Sequence, residues 1–161
     1  MAIGNYIKEI GRGKDGARAL NRTQAADLLG QVLDGTVTDL EVGAFCLAMR
    51  IKGETAEEMA GFLDAVRSRM ALPPASDVSV VVIPSYNGAR KLPLLTPLLA
   101  LLLAREGLPV LIHGTATEDK RVFVSEVLAA LGISAQAATK RIANGSVAFV
   151  PTGTLLPGLQ H

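Results

Sequence analysis

Basic side chains occur in adjacent pairs in two predicted loops. Arg90 and Lys91 end the segment PSYNGARK, and Lys120 and Arg121 end the segment HGTATEDKR. Each pair lies at or near the start of a predicted helix, where free backbone N–H groups attract anions. Four cations there would strengthen that attraction, so they predict a site for a phosphate-bearing ligand. The alternative is that they are ordinary solvated residues of surface loops.

The same two loops contain uncharged residues that could contact such a ligand. They are Ser85, Tyr86, Asn87, Gly88, His113 and Gly114. Tyr86 either stacks a base or packs against its neighbours, and His113 either binds a ligand or bonds to a loop carbonyl. Asn87-Gly88 is a turn signal in any fold. The sequence holds no paired carboxylates, nucleophile elbow or metal-ligand spacing, so it predicts no catalytic residue and no metal site.

The composition is that of a folded, largely apolar chain. Of 161 residues, 49% are hydrophobic and 19% are charged, which excludes general disorder. The net charge of +1 excludes a strongly basic or strongly acidic protein. The single cysteine, Cys46, excludes a disulfide framework and a zinc ribbon. Its place in an apolar helical stretch predicts a core position.

The longest apolar run does not predict a membrane span. LPLLTPLLALLLA, residues 92–104, includes two prolines and falls short of the roughly 20 residues that a spanning helix needs. The N-terminus is mixed in charge and lacks the apolar core of a signal peptide. We therefore expect a cytoplasmic protein with no membrane partner. We also expect this run to form a helix buried against a sheet.

Residues 1–72 predict an all-helical domain. Ile3, Ile7 and Ile10 would share one face of a first helix, and further helices are expected over 23–34, 38–52 and 55–70. Two capping boxes, TDLE and TAEE, would begin the last two helices. The apolar stripe expected to face the core from the last helix consists of Met59, Phe62, Leu63, Val66 and Met70.

Residues 76–161 predict an α/β domain. Strands are expected over 77–83, 108–113 and 146–150, and helices over 96–106, 121–131 and 135–143. The first strand, DVSVVVI, is typical of a strand buried on both faces of a parallel sheet. This order of elements requires parallel pairing through right-handed crossovers. Ligands of such sheets bind at the carboxyl ends of the strands, where both dibasic loops would lie, whereas a third pair, Lys140–Arg141, would lie elsewhere in solvent.

The order of these parts resembles that of the anthranilate phosphoribosyltransferase family, also called glycosyltransferase family 3. The resemblance lies in the helical segment from LNRTQAADLLGQVLDG to FLDAVRSRM and in the turn after the first strand. It implies a fold of the phosphoribosyltransferase type. It also implies that the chain corresponds to roughly the first half of such a protein, with three strands of a larger sheet.

The resemblance does not extend to the motifs of the enzymes. Their GTGGD motif, which wraps the diphosphate of phosphoribosyl pyrophosphate, corresponds to PSYNG at 84–88. Their N-x-S-T motif corresponds to LLTP at 94–97. Their KHGNR motif corresponds to IHGTA at 112–116, where only His113 and Gly114 match. The acidic pair that holds magnesium in the enzymes would correspond to positions beyond residue 161.

The NGARK turn, followed by LTPLLALLLAREG, is similar instead to the YbiB-type branch of the family. Proteins of that branch keep the fold, lack the transferase signature and are similar to dimeric nucleic-acid-binding proteins. The resemblance implies that Asn87, Gly88, Arg90 and Lys91 stand at the defining positions of the branch. Basic residues would then replace the diphosphate loop.

Three functions are consistent with the sequence. The first is a non-enzymatic protein that binds nucleic acid through its phosphates, without a cofactor, as a homodimer formed through the helical domain. The second is a phosphoribosyltransferase of altered specificity, which would use phosphoribosyl pyrophosphate and magnesium. The third is an oligomerisation scaffold whose function lies in the helical half.

Overall fold

The computed structural model of the protein describes residues 3–13, 15–75, 77–89, 91–115, 120–137 and 139–159. The chain divides into two compact units, Met1–Met70 with Gly158–His161 and Ala71–Pro157. Helices α1 to α4 belong to the first unit, and a three-stranded parallel sheet with its helices belongs to the second. This order confirms the predicted fold class, in which a helical region precedes an α/β region.

The helical unit consists of α1 (Gly4–Ile10), α2 (Arg22–Leu33), α3 (Asp39–Lys52) and α4 (Ala56–Arg67). Thr38 and Thr55 begin α3 and α4 through the two predicted capping boxes, each accepting a backbone N–H three residues on. Asn21 and Gln24 form a third capping box at the start of α2, which the sequence prediction did not include. α4 ends at Arg67, before its predicted end.

α4 buries a different face from the one predicted. Its buried residues are Glu58, Gly61 and Ala65. Met59 and Leu63, from the predicted apolar stripe, are 46% and 49% exposed, so for them the prediction is wrong. The reason is the close approach of α2, because a Cβ at Gly61 would lie 2.2 Å from the carbonyl oxygen of Arg22. Backbones this close leave little room for large side chains between the helices.

The core of the helical unit is a cluster of buried side chains around α1, α2 and α3. Its members are Ile3, Ile10, Leu20, Ala25, Leu28, Ala48 and Met49, which confirms the predicted face of α1. Cys46 is exposed, so its predicted core position is wrong. Cys46 lies one turn before Arg50, which is also exposed.

The α/β unit contains strands β1 (Val81–Ser85), β2 (Val110–Gly114) and β3 (Val147–Pro151) and helices α5 (Thr96–Arg105), α6 (Val124–Ala130) and α7 (Thr152–Leu155). A short 3-10 helix follows at Pro157–Leu159. The strands pair in parallel in the order β1-β2-β3, as predicted. Buried side chains of α5 and α6 form one apolar cluster with Val110, Ile112 and Phe149 of the sheet.

β1 differs from the strand that the sequence predicts. It begins at Val81, four residues after the predicted start, and its residues alternate between partial burial and exposure. Among the described residues β1 lies at the edge of the sheet, which leaves Val82 53% exposed. The predicted burial on both faces is therefore wrong for β1, whereas β2, in the centre, is buried along most of its length.

The predicted helix over 135–143 does not form in the described part of that segment. Ala135 makes a parallel bridge to Phe149, and the backbone N–H of Gln136 donates to the Phe149 carbonyl at 2.9 Å. The segment thus adds hydrogen bonds to the outer side of β3. This long-range pairing overrides the helical preference of the alanines, and the prediction is wrong.

α5 is the helix of the long apolar run, and it packs on the sheet through its small residues. Pro97, Ala100 and Ala104 are buried. The leucines on its other side are about half exposed or more: Leu95, Leu98, Leu99 and Leu102. The prediction of a helix against the sheet is thus confirmed for the alanine face only. Within the described residues, no helix has the length and hydropathy needed to cross a membrane.

Candidate functional site

The ends of β1 and β2 lie side by side at the carboxyl edge of the sheet. Ser85 is paired with Gly114 across the two parallel strands. A Cβ at Gly114 would lie 1.8 Å from the Ser85 carbonyl oxygen, so this close pairing requires a glycine. The two loops that carry the candidate residues therefore start from adjacent points, as the sequence predicted.

The two loops also meet farther along the chain. The N–H of Ala89 donates to the carbonyl of Val122 at 2.8 Å, and the N–H of Val122 donates to the carbonyl of Ala89 at 3.0 Å. Gly88 fits tightly beside this antiparallel bridge, because a Cβ there would lie 2.7 Å from the Val122 oxygen and 2.8 Å from the Arg121 Cβ. The bridge holds the two loops together as one surface.

We call this surface the strand-end edge. Its described residues are Ser85, Tyr86, Asn87, Gly88, Lys91, His113, Gly114, Lys120 and Arg121. Arg90, the remaining candidate cation, lies outside the described residues.

The cations of the strand-end edge flank the Ala89–Val122 bridge. Lys91 follows Ala89 by two residues and Lys120 precedes Val122 by two, so both lie close to the bridge along the chain. Both side chains are exposed. Arg121 is half-buried, and its Nη1 donates to the Asn87 Oδ1 at 3.4 Å, which links the two loops a second time.

Tyr86 and His113 form a pair that the sequence does not reveal. The Tyr86 hydroxyl lies 2.9 Å from the His113 Nδ1, and the two rings meet edge to face with centroids 5.5 Å apart. Partial burial lowers the pKa of His113, which favours the neutral ring. The neutral tautomer with a free Nδ1 accepts a hydrogen bond from the tyrosine hydroxyl. The partner of His113 is thus a hydroxyl rather than the loop carbonyl considered above.

The register of β1 and β2 accounts for this pair. Pro84 lies opposite His113 in the parallel register, and Tyr86 follows Pro84 by two residues on the same face. The predicted strands alone do not give that register, because β1 begins later than the sequence suggests.

The third dibasic pair, Lys140 and Arg141, lies apart from the strand-end edge. Arg141 forms an ion pair with Asp77, and both side chains are exposed.

No metal site accompanies these residues in the described part of the chain, where no group of three or more His, Cys, Asp or Glu side chains is placed to hold an ion. Glu126, the first described acid after the second loop in sequence, accepts the backbone N–H of Phe123 at 2.7 Å. The described residues of the strand-end edge therefore offer cations, hydrogen-bond donors and one aromatic ring, whereas Glu118 and Asp119 of the second loop lie outside the described residues.

The helical unit presents a separate apolar surface. Leu40, Leu47 and Ile51 of α3 are 83%, 62% and 54% exposed and recur at helical spacing. A groove of about 240 Å³ lies beside the last two, between α1 and α3, and includes Ile7. Exposed leucine and isoleucine side chains on one helix face are typical of an interaction surface.

Comparisons with known proteins agree on one family. The sequence matches the glycosyl transferase family, helical bundle domain, over residues 5–70. The chain is 43% identical to the uncharacterized protein YbiB of Escherichia coli, over 99% of this chain and 52% of that protein. It is 30% identical to an anthranilate phosphoribosyltransferase of Methylobacterium nodulans, over 97% of this chain and 46% of the enzyme.

Two solved structures have a similar fold. Anthranilate phosphoribosyltransferase from Thermus thermophilus matches 96% of this chain with a TM-score of 0.77 at 22% identity, over 47% of its own chain. The enzyme from Saccharomyces cerevisiae, in complex with PRPP and Mg, matches 98% of this chain with a TM-score of 0.65 at 16% identity, over 48% of its own chain. At these identities the likeness shows the fold alone.

The chain spans about half the length of the curated relatives that it matches. Within that half, the helical bundle and the parallel sheet occur in the order that the family shares. The helical region thus matches the glycosyl transferase family, and the chain as a whole is similar to about half of a protein of the anthranilate phosphoribosyltransferase type.

Proposed function

We propose that the protein binds nucleic acid through its phosphates, on an anthranilate phosphoribosyltransferase fold, at the strand-end edge. The observation that carries the proposal is the Ala89–Val122 bridge, which packs the two loops into one surface, with exposed Lys91 and Lys120 each two residues from the bridge. Neighbouring cations that follow a surface are suited to a run of phosphates. In the sequence, Arg90 and Arg121 add two further cations to the two loops, which also carry Glu118 and Asp119.

The packing of the first loop supports binding rather than phosphoribosyl transfer. The positions that correspond to the GTGGD motif of the enzymes end in Asn87 and Gly88, and Gly88 is closely packed against Arg121 and Val122. The next backbone N–H, of Ala89, is already bonded to the Val122 carbonyl. A loop whose N–H groups are bonded to its own chain has fewer donors left to surround a diphosphate.

The test is charge reversal at the two described lysines, Lys91→Glu with Lys120→Glu, read by anisotropy of a labelled single-stranded oligonucleotide. We expect the affinity to fall by about tenfold or more at low salt. Each phosphate contact contributes about 0.7 to the slope of log affinity against log salt for single strands, so the slope should fall by about 1.4.

Lys140→Glu is the matched control, because Lys140 is an exposed lysine of the same unit that lies apart from the strand-end edge. We expect it to leave the slope almost unchanged. Binding that does not depend on salt, or an unaltered affinity of the double variant, would contradict the proposal.

A second candidate function is a phosphoribosyltransferase of altered specificity, with phosphoribosyl pyrophosphate and magnesium as its ligands. The identity to enzymes named anthranilate phosphoribosyltransferase favours it. Calorimetry with phosphoribosyl pyrophosphate and magnesium separates the two functions. Saturable binding at micromolar concentration would favour the enzyme, and no heat together with oligonucleotide binding would favour the first proposal.

We further propose that the protein forms a homodimer through the exposed α3 face around Leu47 and Ile51. That face is apolar and belongs to the helical unit. Two copies would double the number of cations available to one nucleic acid strand, which raises the affinity. A dimer in sedimentation that binds neither oligonucleotide nor phosphoribosyl pyrophosphate would favour a scaffold function instead.

A further inference from the structure

We infer that the Tyr86 ring is a stacking platform for one unpaired base, so that the ligand of the strand-end edge is single-stranded nucleic acid. This inference rests on the proposed function, because it assumes that the cations of the same surface hold phosphates. It adds a contact that phosphates cannot make. It is supported by two observations: Tyr86 is exposed to solvent, and its hydroxyl is held by a hydrogen bond.

Tyr86 is exposed to solvent although its hydroxyl takes part in a hydrogen bond. The residue is 48% exposed, and its hydroxyl bonds to the His113 Nδ1 at 2.9 Å. An exposed aromatic ring that is already held in place loses little conformational freedom when a ligand binds. The bond to His113 therefore holds the ring at the surface, where a ligand can contact it.

The His113 ring, the described ring that contacts Tyr86, does not stack on the face where a base would bind. The Tyr86 and His113 rings meet at 77°, edge to face, and in the described part of the chain Tyr86 has no ring stacked parallel to it. A nucleobase stacks in parallel on an aromatic face, and every base has such a face. Tyr86 can accept that contact while it keeps its bond to His113.

The position of Tyr86 relative to the cations favours a single strand over a duplex. Tyr86 directly precedes Asn87, whose side chain bonds to Arg121, and Lys91 follows five residues later. A base on Tyr86 would thus leave its backbone beside the charged part of the same loop. In a duplex the bases are already paired and stacked, and reaching Tyr86 would require one of them to leave the stack at a cost in free energy.

The experiment compares two labelled probes of equal length, oligo-dT and an oligonucleotide of abasic deoxyribose phosphate, which carry the same charge. We expect oligo-dT to bind more tightly than the abasic strand. Tyr86→Ala should weaken the binding of oligo-dT by roughly 5- to 150-fold, the usual effect of removing one base-stacking ring. It should leave the affinity for the abasic strand unchanged, and Tyr86→Phe should keep most of the affinity for oligo-dT.

Intrinsic fluorescence supplies a second measurement, since the chain has no tryptophan and only two tyrosines, Tyr6 and Tyr86. In a Tyr6→Phe variant the emission comes from Tyr86 alone, and we expect oligo-dT, but not the abasic strand, to quench it. The Tyr86→Phe variant is the matched control. It reports only Tyr6, which bonds to Asp27 in the helical unit, and should show no quenching beyond the absorption of the probe.

The outcomes distinguish this inference from the proposed function. Equal affinity for the two probes, or an equal loss for both in Tyr86→Ala, would overturn the stacking role while salt-dependent binding of the abasic strand still supported phosphate binding. Failure of both probes to bind would overturn the proposed function and this inference together.

Discussion

Two polar clusters of the molecule differ in how their hydrogen-bonding capacity is used. In the helical unit, the Glu58 cluster comprises Glu58, Leu20, Lys52 and Thr55, and the Glu58 side chain is fully buried. Its Oε1 accepts the Leu20 N–H at 2.9 Å, and its Oε2 accepts the Lys52 Nζ at 2.7 Å and the Thr55 N–H at 2.9 Å. In the α/β unit, Tyr86 and His113 share one bond, and Lys91 and Lys120 are exposed.

The difference separates polar residues that maintain the fold from those that are available to a ligand. Burial is the largest influence on the Glu58 carboxyl and opposes its charge, yet the bonds from Lys52, Leu20 and Thr55 hold its pKa below the usual range. A carboxylate bonded in this way has little capacity left for an outside partner. The strand-end edge retains that capacity, so substitution of its exposed lysines should alter binding more than stability.

The largest effect on stability should follow Glu58→Ala. The change removes the acceptor of the Leu20 N–H and leaves Lys52, whose side chain is 8% exposed, without its ion-pair partner and with only the Gly53 carbonyl as an acceptor. Removing one member of a buried ion pair costs about 3–5 kcal/mol. The free energy of unfolding, from urea titration followed by far-ultraviolet circular dichroism, checks it.

Glu57→Ala is the matched control, since Glu57 is an exposed acid in the same first turn of α4. We expect its effect to stay within about 0.5 kcal/mol. Similar losses in the two variants would show that the buried bonds of Glu58 add nothing beyond the charge of the helix start.

A smaller effect is expected at Gly114→Ala, which tests whether packing rather than polar bonding fixes the strand-end edge. The new Cβ would meet the Ser85 carbonyl oxygen at 1.8 Å, so β1 and β2 would have to separate locally. Overpacking of this kind costs about 1–3 kcal/mol, again measured by urea titration.

The contrasting variant is Gly43→Ala in the middle of α3, where a Cβ would meet nothing within 4 Å. Alanine is the better helix former, so this change should stabilise the protein by about 0.5–1 kcal/mol. If the two substitutions changed the free energy of unfolding equally, the β1–β2 register would not require a glycine at position 114.

The smallest effect should appear in the pH dependence of stability, where the two clusters titrate in different ranges. The pKa of His113 is lowered from 6.5, so the unfolded chain takes up this proton more readily than the folded protein. Stability from this group is complete above about pH 6.5 and is lost as the pH falls. The pKa of Glu58 is lowered from 4.5, so its contribution is complete above about pH 4.5 and is lost below it.

Urea titrations over a pH series separate the two contributions. His113→Gln should flatten the profile just below pH 6.5, whereas Glu58→Gln should reduce the acid loss below about pH 4.5. Part of that acid loss should persist, because bonds from Arg69 and Arg22 also lower the pKa of Asp34 and Asp64. A profile of His113→Gln that is unchanged near pH 6 would show that the histidine has the same pKa in both states.

The sequence predicts the parts of this structure that depend on neighbouring residues. The capping boxes at Thr38 and Thr55 begin helices as expected, and Gly35 and Gly107 follow helix ends with positive φ. The wrong predictions involve distant residues. Ala135 pairs with Phe149 instead of continuing a helix.

In the two polar clusters, too, the contacts that sequence patterns do not predict join residues distant in sequence. TAEE predicts a capping box at Thr55, yet the burial of Glu58 depends on Leu20, 38 residues away in sequence. The strand-end edge follows from the parallel order of the strands, but the Tyr86–His113 bond joins residues 27 apart and requires the register of β1 and β2. Local patterns do not contain that register.

Pro84 has a consequence for association between molecules. In a strand, successive backbone N–H groups point to opposite sides, and the Val81 N–H points towards β2 because it donates to the Pro109 carbonyl. The nitrogen of Pro84 therefore points away from β2, to the side of β1 that has no neighbour in the described sheet. Since proline carries no N–H, that side of β1 offers only the Val82 donor to an incoming strand. This shortage of donors protects an apolar chain from edge-to-edge aggregation.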